Sequence, residues 1–565
     1  MPGDPGGGAS PAPAPPSGGA FDGVFTDANE TARFLTQATF GPTPTDLVEL
    51  PGSSASDWFR NELSKDITPH LNKIGEPEIR GASTMFWRTA VEADDQLRQR
   101  MVYALSQLLV VSDFGGEVLT DIPEAVGYYQ DVLAQHAFGT YRELLEAVTY
   151  APAMGYYLTY LGNERGDAAT GRMPDENYAR EILQLFSIGV LQLNPDGTPT
   201  LDVDGEPIEL YDNADITGLA RVFTGIDFTE ATVFDPDDPG ALEWTTPMTM
   251  YEAPHSPLEK RFLGLTIPAG TDGVTSLELA LDHIAAHPNL APFVSRQLIQ
   301  RFVTSHPEPD YVARVATTFD AGTFELPDGA PVGSGRRGDL GATLAAILFD
   351  REARDSDARR AVGFGKLREP ALRVTAWARA CGVGNPSPEY VTPLIIAYDT
   401  SMLGQKPFAA TSVFNFYRPG YVAPGTLSGS AGRTAPELQI LNATSAFGYA
   451  NVMTFLIFGG VRDDEYQQEL RDEVFDLGGD EPLEFDADAA ATAFLPNYDE
   501  LETLASDPER MIDRLDALFT FGGLSVETRA RILAVTNAVP AEFAELRVQR
   551  AILLLMTSVD FLVQK

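Results

Sequence analysis

Helical periodicity constrains the fold of this chain more than any other feature. From Thr26 onward, segments with apolar residues every three or four positions follow one another, beginning with residues 27–41. Residues 195–265 differ, because they are rich in Asp, Pro, Thr and Gly, and residues 198–211 predict a β-hairpin that turns at Asp204-Gly205. We therefore expect a mainly α protein: a large multi-helix globular body with a small insertion that contains a β-hairpin.

The same patterns divide the 565 residues into four parts. Residues 1–23 form a Gly/Pro/Ala leader that we expect to be disordered, because it holds too little apolar surface to offset the entropy of ordering. Residues 24–194 form an N-terminal helical region, and residues 195–265 form the β- and loop-rich insertion. Residues 266–565 form a C-terminal helical region that we expect to pack against the N-terminal one.

Charge and cysteine content limit the environment and the partners. With 40 Lys and Arg against 81 Asp and Glu, the net charge is −41, which disfavours nucleic-acid and anionic-lipid partners. The single cysteine excludes an internal disulfide. The leader has the composition of a segment that follows a removed signal peptide, which predicts a periplasmic, secreted or cell-surface protein; a flexible cytosolic tail is the alternative. The longest strongly apolar run, residues 452–461, is too short to span a bilayer, which takes about 20 residues.

One helix carries an unusual set of polar residues. Residues 173–190, MPDENYAREILQLFSIGV, predict a helix with Pro174 at its first position and Gly189 as its stop. Asn177 and Glu181 lie on the flank of its apolar face, whereas Arg180 points more nearly away. We expect Asn177 and Glu181 to be at least half buried and hydrogen-bonded, and Glu181 to pair with an arginine or lysine of another motif. Such residues either tie helix to helix or form a ligand site.

Several motifs occur in an order that resembles a known family. They include ENYAREILQLFSIG, HSPLEKRFLG, HPNLAPFVSRQLIQRFVTSHP, GKLREPALR and FNFYRPGY, and they span nearly the whole chain after the leader. The chain resembles the large bacterial family catalogued as domain of unknown function 1800. The resemblance implies export and a protein partner, since members tend to be encoded beside a second exported family that resembles alkaline phosphatases and sulfatases. The usual HDPGEK of that family stands here as residues 255–260, HSPLEK, and the lost carboxylate weakens a catalytic or metal-binding role for His255.

Two classes of function follow from these observations. The first is a binding or assembly factor that acts with the phosphatase- or sulfatase-like partner. The alternative is a hydrolase that acts on an extracellular polymer, with catalytic residues drawn from Glu181, His255, Glu259, Lys260 and His287. These five would have to converge in one pocket, because acid–base chemistry needs groups within hydrogen-bond reach. The chain contains no P-loop, GxSxG or HExxH motif, which favours the binding factor.

A second candidate binding surface lies in residues 414–421, FNFYRPGY. Asn415, Tyr417 and Arg418 combine an amide, a ring and a guanidinium, which suits the recognition of a peptide or a neutral polymer. Together with Asn177 and Arg180 they are the predicted binding residues. Core packing of the rings is the simpler alternative.

No cofactor is predicted, although a divalent cation is conceivable. His283 and His287 lie four residues apart, and with His255 as a remote third ligand they would suit zinc. Two Asp-rich loops, residues 194–207 and 234–243, have a composition suited to calcium, but neither matches the twelve-residue calcium loop.

Overall fold

Helices build most of the molecule. The computed structural model describes residues 21–71, 82–114, 117–229, 243–355, 361, 363–384, 402–460 and 495–565. In the first half of the chain the helices are α1 (Ala28–Ala38), α2 (Asp46–Glu49), α3 (Ala55–Ser64), α4 (Ala82–Glu92), α5 (Gln96–Ser106), α6 (Glu117–Asp121), α7 (Pro123–His136), α8 (Tyr141–Thr149), α9 (Pro152–Tyr157), α10 (Asn177–Glu181), α11 (Asn213–Ala220) and α12 (Gly273–Ala286).

The second half continues the helical pattern. Its helices are α13 (Leu290–Phe302), α14 (Pro309–Ala321), α15 (Leu340–Leu348), α16 (Arg351–Arg354), α17 (Pro370–Ala380), α18 (Leu427–Ser430), α19 (Ala443–Gly459), α20 (Asp499–Leu504), α21 (Pro508–Phe519), α22 (Val526–Ala538), α23 (Ala544–Met556) and α24 (Val559–Leu562). One 3₁₀ turn, Pro436–Gln439, lies between α18 and α19. The predicted mainly α class is confirmed.

Strands occur as four two-stranded antiparallel sheets in the described part of the chain. They pair β1 (Ile226–Asp227) with β2 (Thr249–Met250), β3 (Lys260–Phe262) with β4 (Leu265–Ile267), β5 (Phe324–Glu325) with β6 (Pro331–Val332), and β7 (Lys366–Leu367) with β8 (Val563–Gln564). The last pair places Lys366 opposite Gln564, which fastens the C-terminus beside the start of α17.

The predicted hairpin is confirmed at its turn. Gly205 has φ +85°, a conformation that glycine adopts without steric cost. The Asp202 carboxylate accepts hydrogen bonds from the backbone N–H groups of Asp204 and Glu206, both at 2.9 Å. The two sides of the hairpin are too short to form a regular sheet. They pair instead through isolated antiparallel bridges, such as the one between Leu201 and Pro207.

The helix predicted for residues 173–190 is shorter and differently wound than expected. Its α-helical part begins at Asn177 rather than Pro174, and from Ile182 to Ser187 it continues as a π-helix. The backbone N–H of Ile188 accordingly donates to the carbonyl five residues earlier, at Leu183, at a distance of 3.1 Å. π-Helical turns are rare and often occur at functional sites. This segment also forms a wall of the groove described below.

One hydrophobic core joins both ends of the chain. It extends from Phe25 to Phe561 and includes Trp244 from the insertion and Leu298 from α13. Phe21, at the end of the predicted leader, packs against this core, whereas residues 1–20 lie outside the described residues. Among the described helices, none is both long and apolar enough to cross a membrane.

Candidate functional site

The polar groups of the HSPLEK motif bond to nearby residues, except the buried Nε2 of His255, which has no hydrogen-bond partner among the described residues. His255 is buried, and its Nδ1 donates to the Thr224 carbonyl at 2.7 Å. The Lys260 ammonium is also buried and donates to the Ser256 carbonyl at 3.0 Å. Burial lowers the pKa of both His255 and Lys260. Glu259 pairs instead with Arg261, at 2.6 Å on the surface. These contacts stabilise the chain around β3.

The two histidines proposed as zinc ligands bond separately to nearby groups. Nδ1 of His287 accepts the backbone N–H of Asn289 at 3.1 Å, just past the end of α12. Nε2 of His283 lies 2.9 Å from the Leu263 carbonyl. Within the described residues, no three His, Cys, Asp or Glu side chains come together as a metal site. In the Asp-rich loop 194–207, Asp196 and Asp202 accept backbone N–H groups of their own turns, and residues 234–242 of the other loop lie outside the described residues.

Glu181 is buried but lacks the ion pair that we predicted. It is 7 % exposed, and its Oε2 has no hydrogen-bond partner in the described part of the chain. Burial raises its pKa, and the nearby charge of Arg180 offsets this only in part. Arg180 itself pairs with Glu176 at 3.5 Å. The prediction of an arginine or lysine partner from another motif was wrong: the cation near Glu181 is its helix neighbour Arg180, and Tyr157 and Tyr211 also lie near its carboxylate.

Tyr157 and Tyr211 are affected by this carboxylate. Burial, together with the nearby charge of Glu181, raises the pKa of each to about 12. Asn177 is half-buried, and its amide donates to the Thr159 hydroxyl at 3.4 Å, which agrees with its predicted burial and hydrogen bonding. No hydrogen bond or ion pair joins any two of the five predicted catalytic residues within the described part of the chain.

A groove of about 390 Å³ lies elsewhere, above the buried helix α13. One wall comes from the end of the π-helix and the hairpin that follows it, between Gln184 and Pro199, and the other from residues 413–420. The volume is within the usual range for ligand sites, roughly 300–1,000 Å³. The groove contains Tyr417 and Arg418, two of the residues predicted from the sequence to bind a ligand.

Local conformation fixes both walls. Gly189 has φ +73°, and a Cβ at this position would lie 2.9 Å from the Phe293 ring, so only glycine lets the π-helix end so close to α13. On the other wall the Tyr417 hydroxyl donates to Oε1 of Gln107 at 3.0 Å, which anchors the loop to the floor. Asn415 is also buried, with φ +60°, and lies beside a smaller neighbouring cavity rather than in the groove.

Arginine is the one charged residue type in the described lining of the groove, where Arg296, Arg301 and Arg418 occur without any Asp or Glu. None of the three has a carboxylate within 4.0 Å among the described residues. Arg418 is exposed and lies over the Phe414 ring at 5.0 Å, and Arg296 is half-buried and donates to the Gly197 carbonyl at 3.3 Å. The groove is thus locally positive in a chain whose net charge is −41.

Beneath the groove lies a cluster of buried charges, which we name the floor cluster: Arg100, Arg301, Lys366, Glu369 and Glu437. Their exposed fractions are 1 %, 2 %, 2 %, 0 % and 2 %. Lys366 lies 3.4 Å from Glu369 and 3.6 Å from Glu437. None of these residues was predicted from the sequence to be functional, although Lys366 and Glu369 belong to the family motif GKLREPALR and Arg301 interrupts the apolar pattern of α13.

Glu369 is the most heavily bonded member of the floor cluster. It accepts hydrogen bonds from Gln107 at 2.6 Å, from Tyr103 at 2.8 Å and from Gln405 at 2.8 Å. Burial alone would raise its pKa, but the charges of Lys366 and Arg100 and these hydrogen bonds lower it to about 2. Glu369 therefore stays ionised in the core and joins the C-terminal end of α5, the loop of Gln405 and strand β7.

Comparison with known proteins gives one match. The model of the family described as "Protein of unknown function (DUF1800)" matches residues 33–563. No curated protein and no solved structure matches the chain. The family match covers nearly the whole chain and includes every motif quoted above, as well as both walls and the floor of the groove. The chain therefore belongs to the DUF1800 family.

Proposed function

We propose that this protein is an exported binding factor whose groove holds an apolar, acid-bearing segment of a partner protein. The partner is a phosphatase- or sulfatase-like exported protein, as the family resemblance suggests, and the leader composition supports export. One observation carries the proposal: among the described lining residues the groove has arginines but no carboxylate, although the chain has 81 acidic residues. An acidic segment, repelled by most of the surface, would be attracted to this groove.

The arginines suit such a segment chemically. A guanidinium presents a planar set of donors that matches a carboxylate, and Arg418 keeps its donors free of carboxylate partners among the described residues while it stacks on Phe414. Arginines beside aromatic rings are also the residues that most often dominate the energy of protein interfaces. Arg296 and Arg418, which we call the rim arginines, would meet the acidic side chains of the segment first.

The walls suit the apolar part of the segment. Val190 and Phe414 are 47 % and 38 % exposed, which leaves two large apolar side chains open at the groove. Leu185, Leu193 and Phe293 lie partly covered beside them. Burial of this surface by a partner would contribute about 25 cal/mol for each Å² of apolar area removed from water.

The hydrolase alternative receives less support. It required Glu181, His255, Glu259, Lys260 and His287 to share a pocket, and none of them lines the groove. His255, Lys260 and His287 are hydrogen-bonded to nearby protein groups, and Glu259 is paired on the surface. We therefore prefer the binding function for the part of the chain that the structure describes.

A direct binding measurement tests the proposal. A purified phosphatase- or sulfatase-like exported protein from the same source would be titrated calorimetrically into the parent protein, the groove variant Arg418→Glu and the control Arg261→Glu. Arg261 is a matched control, because its side chain is 72 % exposed and lies outside the groove. We expect the groove variant to bind at least tenfold more weakly and the control to bind as the parent does. Equal binding by all three proteins would exclude the groove, and no binding by the parent would exclude this partner.

A further inference from the structure

The floor cluster carries one more buried cation than it has buried carboxylates. Arg100, Arg301 and Lys366 lie with Glu369 and Glu437, so that three buried basic side chains meet two buried acidic ones. Lys366 lies within 4.0 Å of both carboxylates, whereas neither Arg100 nor Arg301 has a carboxylate that close among the described residues. Of these two arginines, Arg301 is the one that lines the groove. A buried charge without a counter-charge destabilises a protein strongly, so the third cation calls for an anion.

Arg100, Arg301 and Glu437 each keep buried polar atoms without a hydrogen-bond partner in the described part of the chain, and of these three residues only Arg301 lines the groove. Arg301 uses Nη1 and Nη2 on the carbonyls of Gln297 and Gln107, each at 3.1 Å, and its Nε–H has no partner in the described part of the chain. Arg301 lines the groove and is 2 % exposed, so a ligand in the groove would meet this guanidinium at the floor. Buried donors of this kind are normally satisfied, and an unsatisfied one at a cavity wall marks a position for an acceptor.

Resting on the proposed function, we infer that Arg301 binds the carboxylate of a glutamate side chain of the partner segment, and that this carboxylate completes the charge balance of the floor cluster. A single negative charge matches the single excess positive charge. The three groove arginines occupy different parts of the groove, so several acidic side chains of one segment suit them better than one C-terminal carboxylate does. Glutamate has the reach to place its carboxylate at a buried floor while the backbone of the segment stays between the walls.

A peptide pair tests the inference. The probes are an acetylated, amidated five-residue peptide with leucines around a central glutamate, and its glutamine counterpart; a third peptide has the central glutamine and a free C-terminal carboxylate. We expect the glutamate peptide to bind the full-length protein at least tenfold more tightly than either of the others. Equal binding of the glutamate and glutamine peptides, no binding of any peptide, or tightest binding of the peptide with the free C-terminus would overturn the inference.

Two variants show whether Arg301 at the floor or the rim arginines cause the preference for the glutamate peptide. In the rim variant, Arg296→Gln with Arg418→Gln, all three peptides should bind more weakly, but the tenfold preference for glutamate should persist. In Arg301→Gln, if circular dichroism shows a folded protein, the preference should disappear. Loss of the preference in the rim variant would overturn the inference even if Arg301→Gln does not fold. Binding of the partner protein, measured with Arg418→Glu and Arg261→Glu as above, tests the proposed function separately, because it does not depend on which acid the floor accepts.

Discussion

Replacement of Glu369 by glutamine is the sharpest test of the buried charges. The substitution keeps the shape of the side chain but removes the charge that opposes Lys366. It also gives the site a donor amide where Tyr103, Gln107 and Gln405 all donate. Removal of one partner of a buried ion pair leaves the other charge uncompensated, which costs roughly 3–5 kcal/mol. We expect Glu369→Gln to unfold more easily than the parent by about that amount at pH 7.

The pKa of Glu369 gives a second estimate of how much this carboxylate contributes to the free energy of unfolding. The folded protein lowers this pKa from 4.5 to about 2. At about 1.4 kcal/mol for each pKa unit, the difference corresponds to roughly 3 kcal/mol of stability. Because the folded pKa is the lower one, this contribution is fully present above about pH 5 and is lost as the pH falls towards 2. Glutamine does not titrate, so the difference in stability between parent and variant should narrow over that range.

Urea denaturation followed by circular dichroism at pH 7, 5 and 3 measures both effects. Glu527→Gln is the matched control, because its side chain is 76 % exposed and forms only a surface pair with Arg531. Surface pairs one helical turn apart contribute about 0.3–0.5 kcal/mol, so this variant should remain close to the parent. A Glu369→Gln protein within about 1 kcal/mol of the parent at pH 7 would contradict the reasoning from buried charge. A stability difference that stays constant from pH 5 to pH 3 would contradict the pKa assignment.

Three further outcomes follow from individual contacts. Gly189→Ala should cost roughly 1–3 kcal/mol in urea denaturation, because φ is +73° and the new Cβ would meet Phe293; a neutral effect would mean that the π-helix end relaxes freely. Glu181→Gln should be as stable as the parent or more stable at pH 8. Burial raises the pKa of Glu181 in the folded protein, so ionisation of this carboxyl above about pH 4.5 costs stability. A loss of several kcal/mol at pH 8 would indicate that Glu181 forms an ion pair. Deletion of residues 1–20 should leave the melting temperature unchanged. Deletion of residues 1–23 should lower the melting temperature by several degrees, because the longer deletion also removes Phe21 and the Gly23 carbonyl, which accepts a hydrogen bond from the Ala55 N–H at 2.7 Å. Equal melting temperatures for the two deletions would show that these contacts are dispensable.

The sequence by itself determined the local structure. Apolar periodicity predicted a mainly α body, and the Asp204-Gly205 pair predicted a turn because glycine tolerates a positive φ and the nearby Asp202 side chain accepts backbone N–H groups of the turn. The order of the motifs also indicated the family, which the match over residues 33–563 confirms. The helical periodicity and the turn depend on residues close to one another in the chain, and the order of the motifs is a property of the sequence itself, so the sequence displays all three directly. The rings and guanidinium of residues 414–421 led us to predict Tyr417 and Arg418 as binding residues, and both line the groove.

Only the tertiary structure decided which charges meet. Arg301, Lys366 and Glu437 are far apart in the chain, and periodicity carries no information about which buried cation lies beside which carboxylate. Glu181 shows the same limit. Its burial could be predicted from its position on a helix flank, but its lack of an ion-pair partner could not, because that depends on which distant residues pack against the helix. The groove also depends on the tertiary structure, since its walls and floor come from distant segments that the packing of the core alone brings together.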